Sequence, residues 1–499
     1  MKDIDLLIIN PGSLREVYQT LSTDLAAKEP PIWAALLAQG IRKAGFSVAL
    51  LDCEAHEYTK EEIVAKLGEY RPGLTAIVVY GQQPSASTQN MYAAGLTAKI
   101  ISENFPNYKS IMLGGHISAL PERTLREESV TFVAKGEGYF TLLGMLQINL
   151  NNPGELSTIP GLYFRDGNEI RKGKEPLIVP QERLSELLPG MAWDLLPMDK
   201  YRAHNWHCFE DINHRTPYAS LYTSLGCPFK CSFCCINAPF GGPSFRYWDP
   251  DIMVKEFDLL ATKYGVTNIK IADEMFVLNE KHFLKLCENI KNLGHKFNIW
   301  AYARVDTIKE KHLVALKAAG VNWIALGIES FSKYVRDGVN KGRFGAEDIT
   351  RVVRMIQNAG INVHANYIFG LPDDDLISMK ETLKFSMDLN AEMSNFYGAM
   401  AYPGSALYDL ALQEGLELPG SWLGYSQHSK ETKPLPTKFL KSGEVLYFRD
   451  WAWQSYYTNP AYLELVRKKF GEDAFLHVKN MTKHKLERNH AITIDNLTL

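Results

Sequence analysis

Short, unbroken apolar runs alternate with amphipathic helical stretches along most of this chain, and no other feature limits its fold as strongly. Such runs read as parallel strands buried on both faces, and parallel neighbours need a helical crossover between them. The first set comprises Leu6–Ile9, Ser47–Leu51, Ala76–Val79, Ile111–Leu113 and Thr131–Ala134. A helix between the first two presents Trp33, Leu36, Leu37 and Ile41 on one face and stops at Gly45. Further helical patterns lie near 60–70, 87–104 and 138–149. Residues 1–150 are therefore expected to form an open, doubly wound, Rossmann-like α/β domain.

A second set of strands is expected at 267–272, 297–302, 322–327, 362–368 and 395–400, behind the apolar run Ala219–Thr223. Helical patterns at 251–264, 279–293, 309–319, 345–359 and 375–389 separate them. Residues 216–410 fit a partial (β/α)6 TIM-like barrel, which places chemistry at the C-terminal strand ends. Residues 151–215 are a proline-rich connector with a hairpin at Leu162–Ile170, turned by Asp166-Gly167. Residues 411–499 are helical in pattern, with aromatics such as Trp422, Tyr447, Trp451 and Trp453 expected to fill the barrel mouth.

The formal net charge of −3 gives no general electrostatic grip on nucleic acid or an anionic membrane. No apolar run reaches the roughly 18 residues of a membrane span. Asp3 and Asp5 stand where a secretory signal carries bases, so a cytoplasmic protein is expected. Seven cysteines are too few for a disulfide scaffold, and four of them fall between Cys227 and Cys235. That clustering points to metal or redox chemistry.

Cys227, Cys231 and Cys234 stand at C-x3-C-x2-C spacing in a loop directly after a strand. Three thiolates can hold three irons of a [4Fe–4S] cluster and leave the fourth iron open to chelate a substrate group. A zinc site would need a further ligand from Cys208, Cys235, His204 or His207. Inert structural thiols rarely cluster with Gly, Pro and Lys, and Cys235 reads as an adjacent buried thiol outside the motif.

The segment resembles the radical S-adenosylmethionine (SAM) superfamily. The resemblance implies that the open iron binds the amino and carboxylate groups of SAM, with Phe233 near adenine. The barrel strand ends match in order. Asp273 and Glu274 suit the SAM ammonium, or alternatively cap the next segment or pair with Lys270. Arg304 suits the carboxylate, Glu329 and Ser330 the ribose hydroxyls, and Gly370 a close backbone approach to adenine.

The first domain gathers small and polar residues at its strand ends: Asn10-Pro11-Gly12, Asp52, Gly81–Ser85, Gly114-Gly115-His116 and Gly136-Glu137-Gly138. Ligands of open α/β sheets sit beyond those ends. No G-x-G-x-x-G follows the first strand, which disfavours a dinucleotide. With Pro30-Pro31 and Leu120-Pro121-Glu122, these elements resemble the cobalamin-binding domain found in many radical SAM enzymes. By that resemblance Asn10, Gly12, Gln82, Ser85, Gly114, Gly115, His116, Gly136, Glu137 and Gly138 contact cobalamin. The D-x-H-x-x-G fingerprint is missing: Asp52 is followed by Cys53 and Glu54, and His56 is out of register. His116 is expected to pack or cap rather than bind cobalt.

The resemblance thus implies a cobalamin-dependent radical SAM methyltransferase with three cofactors: a [4Fe–4S] cluster, SAM and cobalamin. It would methylate an unactivated carbon of a small molecule or natural product through a 5′-deoxyadenosyl radical and methylcobalamin. A reductant such as flavodoxin or ferredoxin is the implied protein partner. Alternatives are ring formation or rearrangement with the same cofactors, and a radical SAM enzyme that does not use cobalamin. A non-catalytic cobalamin or redox sensor is disfavoured by the intact triad and the strand-end matches.

Overall fold

The computed structural model describes residues 2–12, 14–81, 83, 85–342 and 344–499. The first sheet contains β1 (Lys2–Asn10), β2 (Val48–Asp52), β3 (Tyr70–Val79), β4 (Ser110–Gly114), β5 (Phe132–Ala134), β6 (Leu162–Asp166) and β7 (Glu169–Lys172). Their order is β2-β1-β3-β4-β5-β6-β7. The first five in this order run parallel. Strand β1 shows why its run is continuously apolar. Leu6 and Ile8 enter one core with Trp33, while Leu7 and Ile9 enter another with Met91 and Ala94. The helix Ile32–Lys43 buries Trp33, Leu36, Leu37 and Ile41 as expected.

The connector hairpin forms, but not as a free-standing element. Strand β6 pairs antiparallel with β5, and β7 with β6, so the first sheet runs on to Lys172. The rest of the connector wraps between the two sheets. Trp206 plugs the base of the second sheet, with ring centroids 5.1 Å from Trp300, 5.1 Å from Trp323 and 4.4 Å from His364.

The second sheet starts with β8 (Tyr218–Leu221), followed by a small ribbon of β9 (Ser224–Leu225) and β10 (Arg246–Tyr247). It continues through β11 (Asn268–Ile271), β12 (Asn298–Arg304), β13 (Val321–Glu329), β14 (Asn362–Phe369) and β15 (Met393–Gly398). The order β8-β11-β12-β13-β14-β15 is parallel throughout, an open half-barrel with its crossover helices outside. Helices Ser442–Tyr457, Pro460–Phe470 and Glu472–Met481 close the β15 side. Tyr456 Oη donates to the Ala391 carbonyl at 2.7 Å and Tyr457 Oη to the Ser394 carbonyl at 2.6 Å. Those tyrosines are packing residues, whereas Tyr447, Trp451 and Trp453 reach the interior space described below. Among the described residues no helix is long and apolar enough to cross a membrane.

Candidate functional site

The C-terminal ends of β1 and β3 face the open side of the half-barrel across one chamber of about 1050 Å³. Asn10, Tyr80, Gly81 and Ser85 border it from the first sheet. Cys227, Cys231, Phe233, Cys234, Glu274, Arg304 and Glu329 border it from the barrel. The C-terminal region adds Gln427, Tyr447, Trp451 and Trp453.

The cysteine loop is held from behind. Asp273 is completely buried, and its carboxylate accepts from Thr223 N at 2.6 Å, Thr223 Oγ1 at 2.5 Å and Ser224 Oγ at 2.7 Å. It therefore fixes the strand end that launches the loop and does not border the chamber, although direct contact with SAM was the expectation. Burial pushes the Cys227 thiol up to about 11 and raises the Cys234 thiol well above its ordinary range. Cys231 Sγ accepts from Arg304 Nη1 at 3.5 Å. Among the described residues no three His, Cys, Asp or Glu side chains converge as they would around a single ion. Ligands of a [4Fe–4S] cluster bind separate irons, so three thiols sharing one chamber wall suit that group. Cys235 borders the same chamber but is buried, its thiol pushed up to about 12.

The remaining barrel residues divide. Glu274 faces the chamber, and burial raises its carboxyl to about 8. Lys270 pairs with Glu29 of the first domain, 3.2 Å away, and its charge also acts on Glu274. Arg304 borders the chamber with its fork engaged: Nε and Nη2 each donate to Asp306 at 2.9 Å. The bidentate grip expected for a SAM carboxylate is occupied by that internal partner. Glu329, at φ 66°, pairs with Lys341 at 2.7 Å on the chamber wall. Ser330 is turned away; its hydroxyl lies 3.2 Å from Thr382 Oγ1 and accepts from Ser332 N. Gly370 also lies off the chamber. Its φ is +80°, and a Cβ there would come within 2.4 Å of Val445 Cγ1, so glycine serves the seating of the helix Ser442–Tyr457.

The strand ends of the first sheet divide likewise. Asn10 and Ser85 border the chamber, and Gly115 borders a side pocket of about 30 Å³ shared with Cys235 and Glu274. Gly12, Gly114, Gly136 and Gly138 do not border the chamber. At Gly114 a Cβ would lie 2.1 Å from the Val79 carbonyl oxygen, so the β3–β4 approach requires glycine. Glu137 is buried in an ion pair with Arg246 and accepts from Val179 N at 2.7 Å. His116 packs on the edge of Trp422, with ring centroids 4.3 Å apart, and lies 3.2 Å from Thr88 Oγ1. Burial lowers its pKa to about 3, so the ring is neutral. Gln82 lies outside the described residues. Asp52 is also internal, taking Asn10 Nδ2 at 2.8 Å and Tyr201 Oη at 2.6 Å.

Several chamber residues were not placed in the site by the sequence reading, which named Lys270 only as a possible partner of Asp273 and Glu274: Glu29, Lys270, Lys341, His364, Asn366 and Asn395. A signal existed for four of them. Lys270, His364, Asn366 and Asn395 interrupt strands that otherwise read as buried, the mark of an inward polar face. Lys341 and Glu29 sit in loops with no such pattern.

Two family models match this chain: the B12 binding domain over residues 18–143 and the radical SAM superfamily over residues 221–386. The chain is a radical SAM enzyme with a B12-binding domain. Those families bring a [4Fe–4S] cluster, SAM and cobalamin; the three thiols suit the first, Glu274 and Glu329 the second, and Asn10 and Ser85 line the side where the third would sit. An uncharacterized methyltransferase of Pyrococcus horikoshii is 29% identical over 465 residues, covering 93% of this radical SAM enzyme and 94% of the relative. The anaerobic magnesium-protoporphyrin IX monomethyl ester cyclase of Cereibacter sphaeroides is 26% identical, covering 86% and 67%. Among solved structures, the radical SAM methyltransferase TsrM from Kitasatospora setae, with cobalamin and a [4Fe–4S] cluster bound, superposes with a TM-score of 0.68. It is 16% identical, over 96% of this chain and 100% of that one, and so speaks to the fold.

Proposed function

We propose that this radical SAM enzyme methylates an unactivated carbon of a small molecule, with cobalamin held against its first domain. The observation that carries the reading is the shared chamber: the β1 and β3 ends and the cysteine loop open into one space. Methyl transfer to such a carbon needs the methyl carrier and the radical source to reach the same substrate. When bound, these groups supply a 5′-deoxyadenosyl radical from SAM and a transferable methyl group.

The chain's own residues take the following parts. Cys227, Cys231 and Cys234 hold the cluster, and Arg304 Nη1 lies against Cys231 Sγ. Glu274 receives the SAM ammonium, whose charge lowers the cost of ionising that buried carboxyl. Glu329, pinned by Lys341, meets the ribose hydroxyls, and Phe233 packs beside adenine. Asn10 and Ser85 face cobalamin. The aromatic walls enclose the site, which keeps a primary radical from C–H bonds other than the substrate's.

The cyclase relative supports a second reading, ring formation with the same cofactors. Anaerobic reconstitution with iron, sulfide and hydroxocobalamin, then reductant and SAM without substrate, separates the two. Methyl transfer predicts a stoichiometric burst of S-adenosylhomocysteine that disappears when cobalamin is omitted. Formation of 5′-deoxyadenosine with no S-adenosylhomocysteine would overturn it in favour of the cyclase reading.

A further inference from the structure

The chamber must enclose a radical and yet admit a cofactor as large as cobalamin. Its walls combine strand ends and helices with several loops, the cysteine loop among them. One of these irregular walls comes from the C-terminal stretch. His484, Leu486 and Arg488 border the chamber from the stretch after the last helix, Glu472–Met481, where the chain has neither helix nor strand. Burial alternates along it: His484, Leu486, Arg488 and His490 are part-buried, while Lys485, Glu487 and Asn489 are exposed. It is an extended strap, and the exposed Lys485 and Ala491 border the chamber as well.

Polar contacts hold the strap: Arg488 makes five of them, and Glu487, Asn489, His490 and Ile492 tie it further to Lys430, Glu431 and Gly443. All five of its N–H groups are used. Nε and Nη2 grip Asp450 at 2.8 and 2.9 Å. Nη1 reaches the Ser429 carbonyl at 2.9 Å and Thr432 Oγ1 at 2.8 Å, and Nη2 reaches the Gln427 carbonyl at 3.0 Å. A second tie runs to the first domain. Gln19 Nε2 donates to the carbonyls of His428, at 2.7 Å, and Glu487, at 3.1 Å, and Gln19 Oε1 accepts from Glu487 N at 3.1 Å.

We propose that residues 483–492 are the door of the chamber, latched by Arg488, and that cobalamin and substrate pass it. Opening it breaks a compact set of polar contacts and separates no core elements, which is how low-stability, movable segments are built. Ile494 and Leu497, beyond the segment, pack against the main core, so residues 483–492 open as a loop held at both ends. Arg488 is then a positioning residue that touches no reacting atom. The inference rests on the chamber being the cofactor site, but not on methyl transfer itself.

The test is exchange of bound cobalamin against radiolabelled hydroxocobalamin in the reconstituted holoenzyme, without SAM. Arg488→Met is expected to raise the exchange rate roughly tenfold or more, because an easier opening speeds both release and entry. Gln19→Ala, which removes the second tie and leaves the Arg488–Asp450 pair, is expected to raise it by a smaller factor. Exchange at the wild-type rate in both variants would overturn the proposal. So would a wild-type rate in Gln19→Ala if Arg488→Met does not fold. S-adenosylhomocysteine formation in the same preparations judges the methyl-transfer reading separately.

Discussion

Cys231 accepts from Arg304, while Cys227 and Cys234 have thiols raised by burial, so those two ionise readily only when iron takes the thiolate. Each single substitution Cys227→Ala, Cys231→Ala or Cys234→Ala is expected to abolish the cluster absorbance and 5′-deoxyadenosine formation. Cys235→Ala is expected to leave iron content within about twofold of wild type, because such a buried thiol behaves as a small hydrophobe. His116 gives a prediction in pH. Its folded pKa of about 3 lies below the unfolded value, so its contribution is complete above about 6.5 and is lost as pH falls toward 3. In urea unfolding, the stability difference between wild type and His116→Phe should shift against the wild type by up to about 1.4 kcal/mol per pH unit over that window. Residue roles were unevenly legible. The triad was readable because its spacing has one main chemical use. Asp273, Ser330 and Gly370 had the right types at strand ends, but type does not tell which way a side chain points, and tertiary partners took all three.

At the scale of elements, strands and helices were readable because burial on both faces leaves an unbroken apolar signature. Pairing was less so. The Asp-Gly turn of β6–β7 announces a hairpin, yet local sequence does not say that β6 will add to β5. The two sheets are joined by the buried pair Glu137–Arg246, linking the turn after β5 to β10, just past the cysteine loop. Breaking such a pair strands a buried charge. Arg246→Met is expected to cost about 3–5 kcal/mol in denaturant unfolding, and Arg246→Met with Glu137→Gln less than the sum of the single changes. Additive costs would mean that the pair does not couple the domains.

For the whole molecule, three stretches far apart in sequence build one chamber: the first sheet's edge, the half-barrel mouth and the C-terminal strap. The sequence showed two ligand edges but not that they face each other, because the connector's packing sets their relation. Tyr201 reaches back to Asp52 at 2.6 Å, and Trp206 plugs the barrel base. The polar strap carries no periodic signal at all. The central claim is that cobalamin and the iron–sulfur cluster occupy this one space. Both are paramagnetic when cobalamin is in its Co(II) form and the cluster is reduced. The direct measurement is the spin-relaxation rate of Co(II) cobalamin in the reconstituted enzyme, with the cluster oxidised and then reduced. Faster relaxation on reduction, absent in Cys231→Ala, is the predicted result. Relaxation unchanged by cluster reduction would contradict a shared chamber.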